Sequence, residues 1–364
     1  MNKKYDVVII GAGVNGVAIA RALSLSGKKV LVVDKARVAS GASSHSSRLI
    51  HGGLRYLENF EFSLVKESLH DQKYLLDNYP DLVKLHPFYL PISKDSKRPS
   101  WLIRVGLWLY GALAYHKDKP AEVDLAQFLK QFRAVKGEKL RTVFRYFDAK
   151  TDDALLTRTI AEEARNAGAE ILENSDITSI NVSETLITLQ IGNDVVQTNA
   201  LVNATGAWID EVNQKFNLPS SYVIEKVSGI HLVIKGALAP EPLILETSTK
   251  RIFFIIPNED TTIIGTTERS ENARVDDIDV NDEDVEYLLQ QSNAYLNTAL
   301  TKADVQEVYV GTRPIIKSKR DVSKMSREYK LDLHGVGQNK ILNIYGGKLT
   351  TFHSLAKKAL AILD

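Results

Sequence analysis

Short apolar runs alternate with amphipathic stretches along this chain, and the first of them already defines a unit. Tyr5 to Ile10 is a β-rich run, glycines interrupt it, and from Val14 to Leu25 apolar residues recur at helical spacing. Gly27 closes that helix, Val30 to Val33 reads as a second buried strand, and Asp34 ends it. Strand, helix and strand in this order predict the βαβ unit from which parallel sheets are built.

Later segments change the period. Leu156, Ile160, Ala161 and Ala164 mark one face of a helix between Asp152 and Ala167, with Asp152 or Asp153 placed to cap its start and Gly168 its end. Ile177 to Val182, Leu186 to Ile191 and Val195 to Thr198 read as an antiparallel meander, and Ala200 to Asn203 as a buried strand entering Ala204, Thr205 and Gly206. Alternation in His231 to Ile234, Arg251 to Ile256 and Thr261 to Ile264 predicts a mixed sheet with one covered face, and so a second domain. A charged helix is expected over Asp282 to Leu300, and a last strand, Ile341 to Tyr345, runs through Gly346 and Gly347 into a closing helix. The stretch Trp101 to Tyr115 is broken by Arg104 and falls short of the roughly 20 apolar residues that cross a bilayer. It reads as a buried helix, with an in-plane membrane helix as the alternative.

A length of 364 residues with 44% apolar composition allows two domains and excludes disorder. Lysine plus arginine, 46, nearly balances aspartate plus glutamate, 45, so no global field favours nucleic acid. The absence of cysteine removes disulfides, thiolate metal sites and redox thiols, so a bound cofactor must carry any electrons. The polar start, Met1 to Tyr5, lacks a signal peptide's apolar segment, and an intracellular, cytoplasmic protein is expected.

Gly11, Gly13 and Gly16 carry the G-x-G-x-x-G spacing between strand and helix. There the first glycine makes the tight turn, the second lets a pyrophosphate reach the backbone, and the third lets helix and strand pack closely, while the helix N-terminus attracts the anion. Asp34, about 20 residues on, is placed to accept the adenosine ribose hydroxyls and disfavours the ribose phosphate of NADP despite Lys35 and Arg37. The motif itself serves FAD and NAD alike. The long insertion before Ala204, Thr205 and Gly206, and the late Gly-Gly-helix junction, favour FAD.

The segment Ala42 to Glu58, ASSHSSRLIHGGLRYLE, closely resembles the FAD-dependent glycerol-3-phosphate dehydrogenases and the related α-glycerophosphate oxidases, flavoproteins of the D-amino-acid-oxidase-like superfamily. Ser228 to His231, Ile263 to Thr267, Gly311 to Pro314, Ser326 to Tyr329 and Tyr345 to Thr351 resemble the family's segments in the same order. The resemblance implies an α/β (α+β) architecture: a discontinuous Rossmann-like FAD domain from 1–80, 145–215 and 308–364, and a mixed-sheet substrate domain from 81–144 and 216–307. It also implies oxidation of sn-glycerol 3-phosphate to dihydroxyacetone phosphate, with electrons passed to a quinone or dioxygen and peripheral membrane contact at the cytoplasmic face. A helical domain of roughly a hundred residues usually follows in the family, whereas this sequence ends at Asp364. Arg48, Glu268 and His45 depart from the residues usual at their positions.

Such a reaction needs a base for the hydroxyl proton and cations for the phosphate. By the resemblance His51 is the base, beside Arg55 and Lys348, and Arg313 and Arg327 are phosphate ligands with Tyr56 and His231 as companions. The cofactor contacts it implies are Gly11, Gly13, Asn15, Gly16, Asp34, Ala204, Thr205, Gly206, Gly346, Gly347, Leu349 and Thr350. Ser43, Ser44, Ser46 and Ser47 suit either pyrophosphate contacts or helix caps. The rival readings are an FAD oxidoreductase acting on another 2-hydroxy acid or an amine, and a non-catalytic flavin-binding subunit.

Overall fold

Val7–Ile10 and Val30–Val33 are uninterrupted apolar quartets, and such strands are stable only with both faces covered. The computed structural model describes residues 3–59, 61–96, 99–317 and 328–364. The elements that matter for the site are, in chain order, β1 (Val7–Ile10), α1 (Val14–Leu25), β2 (Val30–Val33), α2 (Phe62–Asn78), β3 (Lys84–Ser93), α3 (Ser100–Leu113) and β4 (Leu140–Lys150). They continue with α4 (Asp153–Asn166), β5 (Glu170–Leu172), β6 (Ala200–Asn203), β7 (Ile224–Lys235), β8 (Leu243–Glu246), β9 (Ile252–Asn258) and β10 (Thr261–Gly265). Last come β11 (Val305–Ile316), β12 (Lys330–Val336), β13 (Asn339–Tyr345) and α5 (Phe352–Leu363).

A six-stranded sheet of order β12-β13-β6-β1-β2-β5 forms the first layer, parallel except for the antiparallel β12–β13 pair. The pleat divides its core. Val7, Ile9, Val30 and Val32 pack with α1, α4 and α5, whereas Val8, Ile10, Leu31 and Val33 pack under the meander of Ile177–Val182, Ile187–Ile191 and Asp194–Thr198. Asp152 caps α4 by accepting a hydrogen bond from the Leu155 amide at 2.7 Å.

A ten-stranded mixed sheet forms the second layer; its main path runs from Arg269–Glu271 through β7, β10, β9, β8, β3 and β4 to Leu49–Ile50, and β11 pairs with β7. One face of β7, with Ile230, Leu232 and Ile234, packs against the helix Asp282–Asn293, while His231 points to the other face. Both β4 and β11 belong to this sheet.

Two expectations are corrected. The helix expected over Asp282 to Leu300 ends at Asn293, because the Asn293 side chain accepts from the Leu300 amide at 2.7 Å and donates to the Leu300 carbonyl at 2.9 Å. That turns the following residues back as a loop. The Trp101 to Tyr115 stretch is helical but not buried: Trp101 is 65% exposed, Trp108 70% and Tyr115 50%, and only Leu107, Tyr110 and Gly111 of α3 are buried. Apolar residues occur all round this helix, and the protein covers one strip of it.

Candidate functional site

A cavity of about 1620 Å³ runs from the C-terminal ends of β1 and β2 to the inner face of the second sheet, a position where open parallel sheets bind ligands. Its walls include Gly11, Gly13, Asn15, Asp34, Ser43, Ser47, Ala204, Thr205 and Gly206 at one end, and His51, Tyr56, His231 and Arg313 further in. Gly346, Gly347, Lys348, Leu349 and Thr350 line it as well, so stretches far apart in the sequence meet in one space. Ser44 and Gly16 are not on the wall.

At the glycine end the geometry has no room for side chains. Gly11 has φ +102°, and a Cβ there would lie 2.7 Å from the Ala204 carbonyl oxygen; a Cβ on Gly16 would lie 1.9 Å from the Gly11 oxygen. Gly16 therefore serves by letting α1 close on β1. Ser43 Oγ accepts the Val14 amide at 2.9 Å and so caps α1 from outside the helix. Ser44 Oγ donates to the Gly41 carbonyl at 3.3 Å and lies 2.9 Å from the His45 ring nitrogen.

Asp34 accepts from the Ala12 amide at 2.6 Å and the Ala36 amide at 2.8 Å, one on each carboxylate oxygen. Burial raises its carboxyl from the ordinary value, and these two donors hold it down. Each oxygen keeps further acceptor capacity toward the cavity. Asn15 donates to the Gly346 carbonyl at 3.3 Å, joining the first glycine loop to the last. A carboxylate at the end of β2, a side-chain-free turn at the start of α1 and a second glycine turn opposite form a cradle that fits a dinucleotide.

Deeper in, the walls turn polar. Arg313 Nη2 donates to Thr266 Oγ1 at 2.9 Å, and its Nη1 pairs with Glu268 at 3.4 Å. The guanidinium is thereby held on β11 beside β7, whose Val227 is its register partner. The Lys348 ammonium stands 4.0 Å from the centroid of the Tyr56 ring, and the His51 ring lies 6.4 Å from the same ring. The His51 carbonyl accepts from Thr350 Oγ1 at 3.5 Å.

His231 is 2% exposed, stacks on Tyr309 with centroids 4.9 Å apart, and places Nε2 2.8 Å from Ser47 Oγ. Burial lowers its pKa to about 3, assisted by Arg313, Arg48 and His45, so the ring is neutral at ordinary pH. It offers a hydrogen bond rather than a positive charge. Arg327 lies outside the described residues, as does the side chain of Arg55.

For some residues of the site the sequence did not show which group they would hold. Glu268 and Thr266 orient Arg313, and Tyr309 carries His231. Asp153 accepts from the Ser46 amide at 3.0 Å and its hydroxyl at 2.6 Å, fixing the serine turn to the start of α4. Only the cap position of Asp153 was visible beforehand, not its second partner.

The family model described as FAD dependent oxidoreductase matches residues 6–351. Over 374 residues the chain is 36% identical to a glycerol-3-phosphate dehydrogenase of Pseudomonas aeruginosa, covering 99% of this chain and 72% of that protein. It is 33% identical to a D-erythritol 1-phosphate dehydrogenase of Brucella abortus, covering 98% of this chain and 72% of the other. Among solved structures, a glycerol-3-phosphate dehydrogenase from Bacillus halodurans complexed with FAD superposes with a TM-score of 0.78 at 24% identity, covering 99% of this chain and 64% of that one. With its cradle, its fold and its sequence in agreement from one end to the other, the chain belongs to the FAD-dependent oxidoreductase family.

Proposed function

We propose that the protein oxidises sn-glycerol 3-phosphate to dihydroxyacetone phosphate. The observation that carries this reading is the convergence of a histidine, an arginine and a lysine, His51, Arg313 and Lys348, on the cavity that the glycine turns enter. FAD, when bound, supplies the acceptor for the hydride that leaves C2. The chain's own residues have the remaining work.

His51 accepts the proton of the C2 hydroxyl, which becomes the ketone oxygen as the hydride departs. Arg313 takes the substrate phosphate on its planar fork of donors, with Glu268 and Thr266 fixing the plane before substrate arrives. Lys348 adds positive charge beside Tyr56, and neutral His231 provides a hydrogen bond from the second sheet. Gly11, Gly13, Asp34, Ser43, Ala204 to Gly206 and Gly346 to Thr350 hold the cofactor, Asp34 at the ribose and the start of α1 at the pyrophosphate. The parallel sheet is the cofactor layer and the ten-stranded sheet the substrate layer.

Electrons then leave to a quinone or dioxygen. The outer face of α3, which carries the exposed Trp101 and Trp108, docks at a membrane surface. Anaerobic addition of glycerol 3-phosphate to the yellow holoprotein bleaches the flavin band if the reading holds; an unchanged spectrum at millimolar substrate counts against it. Because a relative is named for D-erythritol 1-phosphate, that phosphorylated polyol is the second substrate to try, and faster bleaching with it would reassign the substrate but not the chemistry. Sedimentation with anionic liposomes, lost in a Trp101→Ser, Trp108→Ser variant, tests the docking face.

A further inference from the structure

His51 follows the two-residue strand Leu49–Ile50 and precedes two glycines, Gly52 and Gly53. A base on such a segment needs its ring held to a fraction of an ångström, and that requires a fixed backbone beneath it. The backbone on both sides of it leads to one buried carboxylate. Asp148 Oδ1 accepts from the Gly52 amide at 3.1 Å, from the Tyr110 hydroxyl at 2.6 Å and from Gln72 Nε2 at 2.8 Å. The Tyr110 hydroxyl oxygen in turn accepts from the Gly52 amide at 2.9 Å, and Gln72 Nε2 donates to the Ile50 carbonyl at 2.8 Å. The Tyr146 hydroxyl is also bonded to Asp148.

Asp148, Tyr110, Gln72 and Tyr146 are 1–3% exposed and come from β4, α3 and α2. The donors that reach the carboxylate are neutral, and among the described residues no ion pair offsets the cost of burying it. A carboxylate retained there without a cation needs another reason, and its bonds supply one. Gly52 belongs to the same arrangement: a Cβ on it would lie 2.4 Å from the Tyr110 hydroxyl oxygen and 2.4 Å from Leu69 Cδ2.

We propose that Asp148, together with Tyr110 and Gln72, is a positioning residue that sets the His51 imidazole by pinning Ile50 and Gly52 on either side of it. The claim rests on His51 being the proton acceptor. Burial pushes the Asp148 carboxyl up to about 6, while its donors pull it down.

The test uses purified holoprotein carrying Asp148→Asn, Tyr110→Phe, His51→Ala, and Asp148→Asn with His51→Ala. Asp148→Asn keeps the flavin and lowers the rate constant of flavin reduction about tenfold, Tyr110→Phe about threefold, with the substrate concentration for half-saturation unchanged, because misplacing a catalytic group slows the chemical step rather than binding. In the His51→Ala background Asp148→Asn slows reduction no further. The imidazole NMR signals of His51 shift in both variants without substrate. Unchanged reduction and unchanged imidazole signals in both overturn the proposal, as does a full tenfold loss when His51 is already absent. Should Asp148→Asn fail to fold, Tyr110→Phe carries the same comparison. Unimpaired reduction in His51→Ala overturns the proton-acceptor assignment instead, and the imidazole signals then decide the positioning claim alone.

Discussion

The two ends of the cavity are built on opposite plans. Around β1 and α1 the work falls to bare backbone: the turn holds because Gly11 and Gly16 lack a Cβ, and a carboxylate and a serine cap close it from nearby in the chain. Around β7 and β11 it falls to side chains that stand in layers, with Glu268 and Thr266 behind Arg313 and Tyr309 behind His231. A backbone site fails completely when one atom is added, whereas a layered side-chain site degrades by degrees.

The sharpest way to break that contrast is Gly16→Ala. Its new Cβ would stand 1.9 Å from a backbone oxygen that cannot move alone, so the expected product is a colourless or insoluble protein, read from the flavin absorbance per chain. Retention of a full complement of FAD would show that the turn is softer than described. His51→Ala, by contrast, keeps the colour and slows flavin reduction about 10²- to 10⁴-fold in stopped-flow mixing. Arg313→Ala raises the glycerol 3-phosphate concentration for half-saturation about 10- to 100-fold, the worth of a charge-assisted bond. If a phosphate-free polyol suffers equally, Arg313 serves the fold and not the phosphate.

Acid stability separates two buried groups of opposite sign. His231 takes its proton only near pH 3 in the folded state, whereas the unfolded chain takes it near 6.5, so stability falls as the pH drops below that value. Asp148 behaves in reverse: its folded carboxyl protonates near 6 and its unfolded one near 3.9, so acidification through that window stabilises the fold. Between pH 7 and 5, His231→Phe should lose about 2 kcal/mol less stability than the parent, and Asp148→Asn about 1 kcal/mol more, measured by denaturant unfolding at both pH values. Ser43→Ala is expected to cost about 1 kcal/mol through the lost cap on α1, read by thermal unfolding. A scan that shows no shift would assign the cap to solvent.

How far each part was legible follows from how local its physics is. The βαβ unit, the meander and α4 with its Asp152 cap were readable because periodicity, glycine and capping act within a few residues. The exposure of α3 was not: Trp101 and Trp108 read as core by composition, and only the packing shows that nothing in the described chain covers them. Asp148 gave no signal either, since an aspartate within a strand looks like any surface acid until Tyr110, Gln72 and Gly52 arrive from 38, 76 and 96 residues away.

The sequence by itself therefore determined the cofactor turn, the strand order's beginnings and the family, because glycine spacing and apolar period are short-range constraints that survive without coordinates. Tertiary structure alone decided which polar groups face one another. Arg313 became a held cation, His231 a neutral ring and Asp148 a buried anchor through neighbours distant in the chain, and the charge state and direction of a side chain depend on the dielectric and donors that folding assembles around it.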